Sequence, residues 1–119
     1  MYDGTKRLEN KGVSCISCHN VNTARVIPGG LLAKDLTTAH SRMGGDAGIT
    51  GILNAPPFPA MTDSYKNNPI TPDEAFAIAA FLKSVEDENT AGTVQAAALS
   101  PLLTYGGIGL LVWIGLVLF

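Results

Sequence analysis

One run of five residues, Cys15-Ile16-Ser17-Cys18-His19, constrains this chain more than any other. Two thiols three positions apart, with an imidazole directly behind the second, form the pattern that attaches a c-type haem. The histidine decides the reading. A bare Cys-x-x-Cys serves equally as a redox dithiol or as half of a zinc site, whereas haem c needs two thioether anchors and an imidazole under the iron. On a short turn all three groups can face one porphyrin. The competing chemistries find little support in the rest of the chain. A closed zinc site needs further Cys or His ligands, yet Cys15 and Cys18 are the only cysteines and His40 is the only other histidine. A thioredoxin-like dithiol belongs in an alternating strand and helix pattern, which is absent here.

A chain of 119 residues, with 13 glycines and 7 prolines, accommodates one small domain and little more. A soluble core of that size buries little apolar surface unaided, and a porphyrin would supply much of what is missing. The formal net charge is −2, but it is unevenly spread. Through Arg42 the basic residues are Lys6, Arg7, Lys11, Arg25, Lys34 and Arg42 against three acids; from residue 43 onward two basic residues face seven acidic ones. Such a dipole can orient a docking partner, although it equally describes a solvated surface with an acidic tail. No basic and aromatic interleaving points to nucleic acid.

From Ala91 to Phe119 no residue is charged, and 99–119 is almost wholly apolar. Ser100 and Pro101 read as an N-cap and first helical position. A helix over 102–119 would reach roughly 27 Å, about the hydrocarbon thickness of a bilayer, so a single transmembrane helix is expected there. Haem c is attached on the outer side of the energy-conserving membrane, whereas Met1-Tyr2-Asp3-Gly4 has no secretion signal. An exporting segment upstream is therefore expected.

Within the soluble part, residues 3–14 are expected to form a short helix with Gly4 and Leu8 on one face. Glycine and proline interrupt residues 20–60, leaving short helices at 31–41 and 48–54 as candidates. The strongest local signal is Thr71-Pro72-Asp73-Glu74, an N-cap threonine, a proline at the first helical position and a glutamate placed to close a capping box. The helix it starts is expected to run to about Val85. Its apolar face is Ala75, Ile78, Ala79, Leu82 and Val85, widened by Phe76 and Phe81.

His19 supplies one face of the iron, and the other face has four candidate occupants: Met61, Met43, His40, or no protein ligand. Met61 leads, because Pro57 and Pro59 stiffen the loop before it and lower the entropy lost in presenting a weak thioether ligand. Met43 sits beside Gly44 and Gly45 without that support.

With these residues in place, 1–86 resembles a class I monohaem cytochrome c. The resemblance rests on Gly4 and Leu8, Cys15/Cys18/His19, the Pro28-Gly29 turn, the proline-rich loop ending in Met61, and a last helix bearing Phe81. It implies an all-α fold, a small cytochrome c-like helical domain around one covalent haem c over 1–86. A linker over 87–98 and the transmembrane helix over 99–119 would follow. It also implies a contact of Gly4 with Phe81 and a Pro28 carbonyl that accepts the His19 Nδ1–H. In the absence of a tryptophan outside the apolar tail, Arg42 and Tyr65 are the candidate propionate partners. The function implied is single-electron transfer without substrate chemistry, with the haem on the periplasmic or extracytoplasmic side. Its partners would be other redox subunits or soluble carriers, with membrane lipid around the anchor, as part of a hetero-oligomeric respiratory or photosynthetic complex. The alternatives are a gas-binding or sensing haem protein, and a structural subunit whose haem lies off the electron path.

Overall fold

The structure, a computed structural model, describes residues 1–92. By packing, the chain divides into two units, Met1–Asn89 and Thr90–Phe119. The first is helical, and no strand occurs among the described residues. A single 3-10 turn spans Cys15–Ser17; helix α1 is Ala39–Arg42, α2 is Gly45–Asn54 and α3 is Pro59–Tyr65. Helix α4 begins at residue 72 and is helical through 92.

The start of α4 is built by the capping box that its sequence encodes. Glu74 N–H donates to Thr71 Oγ1 at 3.4 Å while Glu74 Oε2 accepts from Thr71 N–H at 3.0 Å. The other carboxylate oxygen, Oε1, accepts the Glu9 N–H at 2.7 Å and so ties the N-terminal loop to the helix start. Burial by itself pushes the Glu74 carboxyl up, but the bonds from Thr71 and Glu9, with the positive charge of Lys6 nearby, outweigh it and hold it below the usual carboxylate range. All five positions of the expected apolar face are buried, with Ala75, Ala79 and Val85 at 0% exposure. Phe81 packs against this core, whereas Phe76 points outward and is 65% exposed. Ile49 and Leu53 of α2, four apart, are buried in the same cluster.

The expected architecture requires correction. Instead of a helix over 3–14 the chain makes a series of turns. Gly4 lies at φ +80° and Lys11 at φ +61°, both incompatible with a continuing right-handed helix. Asp3 Oδ1 stabilises the first turn by accepting from the Thr5 N–H at 3.2 Å and its hydroxyl at 2.8 Å. The proline-rich loop is shorter than expected, because Pro59 starts α3 and places Met61 inside a helix. The expected fold class, a cytochrome c-like domain followed by a membrane span, is overturned in its second part for the described residues. No helix among them is long and apolar enough to cross a membrane. Helix α4 carries Asp73, Glu74, Lys83, Glu86, Asp87 and Glu88, charges that a bilayer core would not tolerate unpaired. The span expected over 99–119 lies outside the described residues. Of the expected linker, residues 87–92 continue α4.

Candidate functional site

Backbone hydrogen bonds shape the Cys15–His19 run into a compact turn. Cys18 N–H and His19 N–H both donate to the Cys15 carbonyl, at 3.1 and 2.9 Å. Cys15 is buried, Cys18 is partly exposed, and both thiols are free. A second segment, residues 29–36, lies directly on this turn. Gly30 N–H donates to Ile16 O at 2.7 Å, Ala33 N–H to Cys18 O at 3.0 Å, and Leu36 N–H to Asn20 O at 2.9 Å. The approach is so close that a Cβ on Gly29 would collide with the His19 carbonyl oxygen and one on Gly30 with the Ser17 carbonyl oxygen. Only glycine allows that packing.

His19 is oriented by this second segment. Its Nδ1 lies 2.7 Å from the Lys34 carbonyl oxygen. A carbonyl can only accept, so Nδ1 carries the proton and the neutral ring presents the lone pair of Nε2, the tautomer a metal-binding imidazole needs. The acceptor is thus Lys34 rather than Pro28, an exposed residue directly before Gly29. The Pro28 reading fails because Gly29 and Gly30 bring the chain down onto the turn and then carry it past His19, so that a later carbonyl meets the ring.

The remaining candidates are distributed as follows. Met61 and Met43 are both partly buried against the core. His40 is occupied by Asp46, its Nε2 2.9 Å from Oδ1. Arg42 bonds the Asp35 carbonyl at 3.0 Å and the Thr38 hydroxyl at 3.1 Å, so its guanidinium serves the loop before α1. Tyr65 is buried at the end of α3, where its hydroxyl donates to the Val13 carbonyl at 2.7 Å and its oxygen faces the Cys15 thiol. Burial pushes the Tyr65 phenol well above its ordinary value, so it remains a donor. Met61 and Tyr65 are four apart on α3 and therefore share a face. The end of that face is fixed to Cys15.

Burial also pushes the Cys15 thiol up. A reactive dithiol needs the opposite, a depressed value that populates the thiolate. Among the described residues no cluster of three or more His, Cys, Asp or Glu side chains is arranged to hold a metal ion. A haem site needs no such cluster, because the porphyrin supplies the equatorial nitrogens and the chain supplies only the axial ligands.

Whether the residues fit a haem is tested by the surface around the turn. The large apolar side chains left exposed include Ile27 at 76%, Leu31 at 88% and Leu32 at 85%, together with Val13 and Phe58. Val13 precedes Cys15, Ile27, Leu31 and Leu32 flank the glycines packed on His19, and Phe58 precedes the helix of Met61. Phe76, on α4, is exposed apart from these segments; the apolar side chains near the anchors in sequence are of a kind that suits a flat hydrophobic group. A cleft of about 240 Å³ beside the turn is lined by Lys6, Arg7 and Lys11 along with Val13 and Ser14, which places part of the basic excess near Cys15.

Sequence reasoning did not identify Tyr2, Asn20 or the Lys34 carbonyl. Tyr2 hydroxyl donates to the His19 carbonyl at 2.8 Å, and Asn20 Oδ1 accepts the Gly29 N–H at 2.9 Å. Only Asn20 carried a signal, its place directly after the histidine. No protein-family model, no curated protein and no solved structure matches the chain.

Proposed function

We propose that this chain carries single electrons through one haem c held covalently by Cys15 and Cys18, with His19 and Met61 as axial iron ligands. The observation that carries the reading is the His19 Nδ1 bond to the Lys34 carbonyl, which leaves Nε2 as the ligating atom directly behind two free thiols on one turn. When bound, the haem would supply the one-electron couple between its ferrous and ferric states. Cys15 and Cys18 would fix the group to the turn, His19 would hold it through Nε2, and the apolar side chains of Ile27, Leu31 and Leu32 would keep water from it.

Met61 is favoured over Met43 because Tyr65, on the same face of α3, reaches the Cys15 thiol and Val13. The engagement of His40 by Asp46 weighs against His40. Methionine ligation and burial stabilise the ferrous state and raise the potential, which suits transfer between a quinol-oxidising donor and a terminal acceptor. Thioether attachment of a haem would go with a location on the periplasmic or extracytoplasmic side. The partners are other redox subunits or soluble carriers, within a hetero-oligomeric respiratory or photosynthetic complex. The basic side chains at Lys6, Arg7 and Lys11 would favour an acidic docking surface on them.

The test uses the full chain matured with haem and reduced at neutral pH. Carbon monoxide is expected not to bind the reduced wild type and to bind reduced Met61→Ala, and the oxidised variant is expected to lack the methionine-to-ferric-iron charge-transfer band of the oxidised wild type. Rapid stoichiometric binding by the wild type would instead identify an open iron and a gas-binding protein.

A further inference from the structure

We propose that Tyr2 is the positioning residue for His19, holding the turn that bears the axial ligand and thereby setting the potential of the site; this rests on the haem reading above. Tyr2 grips the turn at both ends. Its carbonyl accepts the Ile16 N–H at 3.0 Å, and its hydroxyl donates to the His19 carbonyl at 2.8 Å. The span between these bonds, residues 16–19, contains the Cys18 thiol and the imidazole, and Cys15 directly precedes it.

The tyrosine is itself immobilised. Its side chain is buried, and its ring stacks on Phe81 of α4 with centroids 5.1 Å apart and planes at 29°. The Arg25 guanidinium lies 5.4 Å from the Phe81 ring centroid. Arg25 is held in turn by the Ser84 hydroxyl at 2.9 Å and by Glu88 at 3.3 Å. A ring wedged in this way fixes the direction of its O–H bond. His19 is then located from two sides, by Tyr2 at its backbone and by the Lys34 carbonyl at its ring. The positive end of the Tyr2 O–H dipole meets the His19 backbone oxygen and offsets part of that oxygen's negative charge, which would otherwise favour the extra positive charge of the ferric state.

Tyr2→Phe keeps the stack and removes only the hydroxyl. In the haem-loaded full chain it is expected to lower the midpoint potential and to shift the paramagnetically displaced His19 ring resonances of the ferric protein. Phe81→Leu keeps the hydroxyl but loosens the ring that aims it, and is expected to move both readouts in the same direction by less. Should Tyr2→Phe fail to accumulate with haem, Phe81→Leu decides the matter. A potential and resonances unmoved in the variants that load, with loss of thermal stability alone, would overturn the positioning role and leave the haem reading intact. Wild-type chain that acquires no thioether-linked haem under the same maturation would overturn both.

Discussion

The attachment region, residues 13–36, and helix α4 are held by different forces. Helix α4 presents a continuous apolar face, buries Ala75, Ile78, Ala79, Leu82 and Val85, and needs only its capping box to define where it starts. The attachment region contains a single 3-10 turn and is held by backbone bonds to the segment lying on it, with two glycines permitting the contact. It buries Cys15 and Val21 while leaving Ile27, Leu31 and Leu32 almost fully exposed. Helix α4 buries its whole expected inner face; the attachment region has its polar bonds in place while three of its large apolar side chains stay in solvent. That contrast supports the proposal of a hydrophobic prosthetic group at the attachment region.

The sharpest way to break the comparison is to damage each side in turn. Leu82→Ala removes a side chain buried to 3% exposure from the α4 face and is expected to cost about 2–5 kcal/mol, read from denaturant unfolding of the full chain. A smaller loss would mean that α4 contributes less to the core than its burial indicates. Gly29→Ala tests the other side, since its Cβ would meet the His19 carbonyl. A loss of about 1–3 kcal/mol is expected, together with a lower yield of covalent haem, because the loop must lift off the turn. An unaffected haem yield would separate loop packing from ligand placement.

Glu74→Gln is the mildest change, with an expected loss near neutral pH of about 1 kcal/mol from the weakened cap and tether to Glu9. Its pH dependence has a definite sign. The native Glu74 carboxyl titrates below its ordinary value, so its stabilising contribution is complete above that ordinary value and disappears as pH falls through the lower native one. Urea midpoints of wild type and variant should therefore converge as the solution is acidified. Parallel curves throughout the acid range would show that the charge of Glu74 is not what holds the helix start.

The two regions also differ in how far they could be read in advance. Periodicity and the cap residues located the start of α4 and its inner face correctly, because both depend on side chains a few positions apart. The end at Val85 was placed too early, since the polar residues that follow continue the helix on a solvated side. In the N-terminal segment, spacing of Gly4 and Leu8 suggested a helix that the positive φ of Gly4 and Lys11 rules out. Met61 was expected on a loop, and Pro59 at the first position of α3 puts it in a helix instead. The expected Gly4 contact with Phe81 is made by Tyr2, while Gly4 faces Ser14.

By itself the sequence determined two thiols and an imidazole in the order on which the haem c proposal rests, and the helix whose face and cap are written in local spacing. Only the tertiary structure decided what holds His19. The Lys34 carbonyl that receives its Nδ1–H is fifteen residues away, and the Tyr2 hydroxyl that donates to its carbonyl is seventeen away. One of these partners is a backbone atom common to every residue type, and the other acts through a ring position fixed by packing on Phe81. Contacts of that kind arise from where the chain returns in space, which no short pattern of residues records.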